Sequence, residues 1–187
     1  MFSRFETFMT LFDKSEDFKF EKTPNEEITA LGCMSGTSLD GLDLALVTFT
    51  PPSKKNSSWK FHVQSTEFIS YSKTDWEEKL LTAYTLSDEN KVEEISKKYA
   101  QWISLKAKNF LDRLPKNIPQ AEVFCCHGHT IRHNPKMRIT KQIGNTYELT
   151  THLDIPVVCD FRSADVERGG QGAPLVPLAD MFLFHEY

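Results

Sequence analysis

The 187 residues include 22 lysines and arginines against 26 aspartates and glutamates, giving a formal net charge of −4, with 40% apolar and 26% charged residues. That balance is typical of a soluble globular chain long enough to bury a real core, and it gives no electrostatic reason to expect nucleic acid or an anionic membrane as partner. No apolar run approaches a membrane span, and the start of the chain, where Arg4 and Glu6 interrupt the phenylalanines, lacks a small-residue cleavage site.

Residues 1–27 mix phenylalanine with charge and read as an extension ahead of the first strand, with Met9 an alternative start. The first strand begins in the apolar run Ile28-Thr-Ala-Leu31, and Leu42 to Phe49 reads as the second. Between them Ser35, Gly36, Thr37, Ser38, Asp40 and Gly41 are small, hydroxylated or acidic, with glycines where a backbone can turn sharply. Such a hairpin can present backbone N–H groups and hydroxyls to a phosphate, and Asp40 or Asp43 could hold the magnesium that accompanies a nucleotide. An ordinary hairpin with a polar turn would have the same composition.

After the connector Pro51–Ser58, the alternation in Trp59 to Ile69 predicts a third antiparallel strand with one wet face, on which His62 falls. Thr74 is a candidate N-cap for a helix starting Asp75-Trp-Glu-Glu, and a longer helix is predicted over Glu89 to Leu114. Along it Val92, Ile95, Tyr99, Trp102, Ile103, Ala107, Phe110 and Leu111 recur at three- and four-residue steps, the stripe of a core-facing helix. Pro115 to Pro119 ends it, and Ala121 to Cys126 reads as a short buried strand opening into a loop, His127 to Pro135. The histidines of that loop lack the helical spacing or the carboxylate and cysteine company of a metal site. A short helix is expected within Thr146 to Leu153. Ile155 to Cys159 is then a strand ending in Asp160, and a last helix spans Leu178 to Tyr187. Cys33, Cys125, Cys126 and Cys159 lie beside or inside these strands and read as reduced, buried residues of a cytosolic protein.

Three runs carry a resemblance. Gly32-Cys-Met-Ser-Gly-Thr-Ser-Leu-Asp-Gly-Leu-Asp43, His127-Gly-His-Thr-Ile-Arg-His-Asn-Pro135 with Gln142-Ile-Gly-Asn145, and Asp160-Phe-Arg-Ser-Ala-Asp165 with Gly169-Gly-Gln-Gly-Ala-Pro-Leu-Val-Pro177 resemble the anhydro-N-acetylmuramic acid kinases. These are sugar kinases of the actin/hexokinase/heat-shock-ATPase superfamily. The one departure is His129, where the family usually has glutamine. The resemblance implies an α/β, ribonuclease H-like (actin-like ATPase) lobe over residues 28–187: a mixed sheet with three antiparallel N-terminal strands and helices packed on it.

By the same resemblance Gly36, Thr37, Ser38, Leu39, Asp40, Gly41, Leu42 and Asp43 would cradle the phosphates of ATP, with Asp40 near Mg2+. The implied reaction opens the 1,6-anhydro bridge of anhydro-N-acetylmuramic acid with water while O6 takes the γ-phosphoryl group. A carboxylate must then activate that water. Asp160, at a strand tip, is the expected base; Asp165 or Arg162 is the alternative, with Asp160 then a cap of the following turn. His127, Arg132, Gln142, Arg162, Asp165, Gly170 and Gln171 are the expected sugar contacts, the two arginines suiting the lactyl carboxylate. Family members continue for about as long again beyond the position of Tyr187, and a homodimer is a candidate assembly for the full-length family. The 187 residues alone are therefore expected to be a cytoplasmic, inactive first lobe. The alternative is a non-catalytic lobe that binds sugar or a partner half. One spatial expectation underlies all of this: the Thr37 bend and Asp160 should border the same opening.

Overall fold

The computed structural model describes residues 10–12, 26–53 and 58–184. They form a six-stranded mixed sheet and a separate two-stranded hairpin, with helices packed on the sheet. In chain order the strands are β1 (Thr10–Phe12), β2 (Ile28–Ser35), β3 (Gly41–Thr50), β4 (Lys60–Ser70), β5 (Val123–Cys126), β6 (His129–Asn134), β7 (Ile139–Ile143) and β8 (Val157–Cys159). The helices are α1 (Trp76–Thr85), α2 (Glu89–Asp112), α3 (Ser163–Glu167) and α4 (Val176–Leu183). Across the large sheet the order is β1-β8-β5-β2-β3-β4. Pairing is antiparallel from β2 through β3 to β4 and parallel from β2 through β5 to β8.

Strand alternation decides which side chains meet the helices. Leu31 and Cys33 of β2 with Leu42, Leu44 and Leu46 of β3 are buried in one cluster with Val92, Tyr99, Ile103 and Ala107 of α2. The α2 stripe is therefore core, as its spacing predicts. Asp88 caps this helix, its Oδ1 accepting from the amides of Asn90 and Lys91, which fixes where the helix starts. At the start of α1, Trp76 packs against Tyr99 and Trp102 at ring separations of 4.9 and 5.7 Å.

Several expectations are corrected. A strand, β1, lies inside the segment read as an extension and pairs with β8 at the sheet edge; the rest of residues 1–25, including Met9, lies outside the described residues. The segment read as a loop from His127 onward becomes β6, because β7 supplies the backbone partners that its polar composition does not advertise. Gly128, at φ +71°, turns the chain from β5 into it. At the start of α1 the cap position is Asp75, whose side chain makes no capping bond; the hydroxyl of Thr74, which also donates to the Tyr71 carbonyl, accepts from the Trp76 amide at 3.2 Å and so caps the helix from one residue further back.

The predicted wet face of β4 also differs. A register shift at Leu46/Val47 puts Phe61, Val63 and Phe68 opposite Phe49, Val47 and Asp43, on the sheet face turned away from α2. They are 40%, 47% and 53% exposed. The end of α4 reaches this face, where the Phe184 ring meets Phe61 edge-on.

Candidate functional site

Parallel pairing of β2, β5 and β8 brings Cys33, Cys126 and Cys159 side by side, in register, across three neighbouring strands. The segments that continue from these three strands must leave the sheet at the same edge, the place where open α/β sheets bind ligands. After β2 comes the Gly36–Asp40 bend, after β5 comes His127, and directly after β8 comes Asp160. The Thr37 bend and Asp160 therefore stand at the same edge of the sheet, about 10 Å apart at their strand ends by the usual strand spacing, with β5 between them; neither lines the cavity there.

A cavity of about 980 Å3 lies at this edge, walled by Met34, His127, Phe161, Arg162, Asp165 and the stretch Gly172 to Val176 with Leu178. Its polar centre is an arginine held by a histidine. Arg162 Nε donates to His127 Nε2 at 2.8 Å, which leaves His127 Nδ1 as the protonated nitrogen, 3.1 Å from the Gly128 carbonyl. Burial and the adjacent guanidinium keep the His127 imidazole below its ordinary pKa, so it stays a neutral acceptor. The remaining guanidinium donors of Arg162 have no carboxylate partner among the described residues. A charged fork of this kind, half-buried beside an apolar wall, has the chemistry to pair with an anion.

Asp160 is half-buried and has the left-handed φ of +55°, a conformation in which aspartate is tolerated because its side chain bonds locally. Its Oδ1 accepts from Ser163 Oγ at 2.7 Å and from the Ser163 amide at 3.3 Å. Oδ1 thus caps the following turn, and Oδ2 has no protein partner among the described residues. Asp165 is committed to the loop after it, Oδ2 accepting from the Gly172 amide at 2.7 Å. That loop also needs Gly170, where a Cβ would run into the same carboxylate. Gln171 is exposed and lies outside the cavity wall.

In the bend, Thr37, Ser38 and Asp40 line the turn, and Ser38 donates to Asp40 Oδ1 at 2.6 Å, which together with backbone donors holds that carboxyl below its ordinary pKa. Leu39 takes a φ of +56° and closes the turn onto the Gly36 carbonyl. Leu42 is fully buried in the core and Gly41 is pressed against Phe68 and the Ile69 carbonyl, so neither offers a side chain to a ligand. Asp43 is exposed on the opposite sheet face, paired with Met34.

Two expected sugar contacts make other bonds in the structure, although Gln142 Oε1 is left without a partner among the described residues. Arg132 pairs with Glu89 and donates to the Leu86 carbonyl at 2.6 Å, pinning β6 to the α1–α2 connection. Gln142 is 8% exposed and its Nε2 donates to Thr140 and Thr130 inside the β6–β7 hairpin. Neither lines the cavity.

Sequence reading missed a buried polar chain beneath the bend. Ser35 Oγ lies 2.8 Å from Tyr71 OH and 3.0 Å from His129 Nδ1. Tyr71 OH is 2.5 Å from Tyr99 OH, and His129 Nε2 is 3.3 Å from Tyr84 OH. His129, the departure from the family motif, is fully buried, and burial reinforced by neighbouring His127 pulls its pKa down to about 4. No group of three or more potential ligand side chains able to hold a metal occurs among the described residues, and none of their helices is long and apolar enough to cross a membrane.

Residues 28–187 match the family model described as anhydro-N-acetylmuramic acid kinase. Curated relatives with that name include one from Paramagnetospirillum magneticum, 38% identical over 149 residues, covering 80% of this chain and 39% of the relative. Another, from Pseudomonas fluorescens, is 39% identical with 83% and 41% covered, and one from Psychrobacter cryohalolentis is 33% identical with 95% and 44% covered. The chain thus spans about two fifths of the length of the curated relatives it matches.

Proposed function

Because the chain belongs to the anhydro-N-acetylmuramic acid kinase family, we propose that it is the first lobe of an actin-like ATPase fold that works on 1,6-anhydro-N-acetylmuramic acid and ATP, in the cytoplasm. The observation that carries this reading is the shared edge. A hydroxyl-rich bend and an aspartate with one unengaged carboxylate oxygen follow neighbouring strands at the same edge of the sheet, where Arg162 and His127 wall a cavity.

In this reading the bend from Gly36 to Asp40 receives the ATP phosphates through its backbone amides and the hydroxyls of Thr37 and Ser38. Asp40 is a lone carboxylate with one oxygen engaged by Ser38, which suits a magnesium ion that arrives on the nucleotide and keeps most of its own waters. Arg162, steadied by His127, takes the lactyl carboxylate. Asp160 Oδ2 accepts a proton from water as that water bonds to the anomeric carbon; the bond from that carbon to O6 breaks, and O6 takes the γ-phosphoryl group as ADP leaves. Asp165 shapes the Gly169–Gly172 loop rather than performing chemistry.

The test incubates the 187-residue chain with Mg-ATP and the anhydro sugar, alone and together with the remaining portion of a relative, and measures N-acetylmuramic acid 6-phosphate by mass. Product that depends on Asp160 supports the reading. No product and no nucleotide binding in either arrangement refutes it. A non-catalytic lobe that binds sugar or a partner half is the second reading. It is favoured by α4, whose Val176, Leu178 and Met181 are 64%, 62% and 56% exposed. Sugar binding without turnover in both arrangements would select it.

A further inference from the structure

The buried chain under the bend has a direction that its geometry fixes. Tyr84 has one hydroxyl proton, and its 2.7 Å contact with the Thr130 carbonyl uses it, since a carbonyl can only accept. Tyr84 can therefore meet His129 Nε2 only as an acceptor, and Nε2 carries the imidazole proton. Nδ1 is then bare and accepts from Ser35. With its proton given to His129, Ser35 Oγ accepts from Tyr71; with that proton committed, Tyr71 accepts from Tyr99. Every donor from Tyr99 through Tyr71, Ser35, His129 and Tyr84 to the Thr130 carbonyl points one way, and each is used once.

Ser35 is the last residue of β2, immediately before Gly36 of the bend, and it is 3% exposed. We propose that His129 is a positioning residue for this bend: its unprotonated Nδ1 holds the Ser35 hydroxyl inward, and a proton on that nitrogen reverses the contact and shifts the bend. This inference rests on the reading of the bend as a phosphate loop only for its functional consequence, not for the proton chain itself.

Protonation turns Nδ1 from acceptor to donor toward Ser35. The hydroxyl proton of Ser35 then loses its partner, in a place where Tyr71 already donates to the same oxygen. The groups acting on the imidazole are Ser35 from β2, Tyr84 from α1 and His127 from the β5–β6 turn; behind Ser35 stand Tyr71 from the 3₁₀ turn, Tyr99 from α2 and, near Tyr71, Cys33 and Cys126, and beyond His127 stands Arg162. None is an acid that would stabilise an imidazolium, and His127 opposes one. The Ser35 backbone favours the protonated form without outweighing burial. Glutamine, the usual family residue here, can accept through Oε1 and donate through Nε2, which keeps the same direction with nothing to titrate.

The experiment is NMR on the full 187-residue chain and on His129→Gln between pH 7.5 and the lowest pH at which each stays folded, with and without Mg-ATP. Long-range 15N correlation of the wild-type imidazole is expected to show His129 as the Nε2–H tautomer at neutral pH. The amides of Gly36 and Thr37 are expected to shift as His129 takes its proton and to stay flat in His129→Gln. An Nδ1–H tautomer, or equal amide shifts in both proteins, overturns the inference; the tautomer decides even if the variant does not fold. Should the tautomer and the pH response emerge as expected while Mg-ATP leaves the bend amides unmoved in both proteins, the phosphate reading fails and the proton-controlled anchor stands.

Discussion

Replacing His129 by glutamine should remove an acid-labile component of stability whose size follows from the site. In the folded protein the imidazole titrates near 4, against an ordinary value of 6.5. Between those values the unfolded chain binds a proton that the folded one refuses, so folding is stabilised above about pH 6.5 and that contribution is lost as pH falls toward 4. At pH 4.5 the two titration curves differ by nearly two proton-binding decades, or about 2.5 kcal/mol of lost stability relative to pH 7.5. For a domain whose total stability is about 5–15 kcal/mol this is a large fraction. Urea denaturation at the two pH values, on wild type and His129→Gln, gives the double difference. His127, also held below its ordinary pKa, titrates in both proteins and cancels. An equal loss from pH 7.5 to 4.5 in the two proteins would refute the assignment of the buried imidazole as the acid-sensitive group.

Named contacts set the remaining expectations. Tyr71→Phe should cost about 2–3 kcal/mol in denaturant unfolding, because it strands the buried Tyr99 donor and leaves Ser35 without one, whereas Tyr99→Phe removes only the end of the chain and should cost about 1 kcal/mol. Gly144→Ala combines a φ of +88° with a Cβ 2.8 Å from the Tyr99 ring, so its thermal midpoint should fall by the equivalent of about 2–4 kcal/mol. Gly169→Ala, at φ +91° but with nothing within 4 Å, should cost only the backbone strain of about 1–2 kcal/mol. Arg162→Gln should weaken binding of the anhydro sugar about 10- to 100-fold by calorimetry while leaving Mg-ATP affinity unchanged, and an unchanged sugar affinity would remove Arg162 from the site.

How much of this was legible in the sequence depends on the distance over which each residue finds its partner. The β2–β3 hairpin and α2 were readable because period-two and period-3.6 patterns are local, and both run through Leu31, Leu44, Tyr99 and Ile103 without interruption. The strand β6 was not, because His129-Thr-Ile-Arg-His-Asn looks like a polar loop until β7 pairs with it. Arg132 looked like a ligand for a carboxylate and is one, but the carboxylate belongs to Glu89, 43 positions away. Tyr99 was legible as a core residue of α2, but its link through Tyr71 and Ser35 to His129 and the partly exposed Tyr84 joins separate elements, which no spacing rule encodes. Asp160 shows the opposite case. A strand-end acid before Phe-Arg-Ser was visible as a candidate, and the structure adds that one of its oxygens is already engaged.

The sulfur row that crosses β2, β5 and β8 gives this edge a reporter of its own. Burial drives the Cys33 and Cys159 thiols well above their ordinary pKa and Cys125 up to about 11, so in the closed sheet none presents a thiolate to an alkylating reagent. Cys33, Cys126 and Cys159 are buried in paired strands, so a reagent reaches their sulfurs only when these strands separate. Their alkylation rate would count openings of the ligand edge directly, and a molecule that seals that edge would reveal itself as a slower clock.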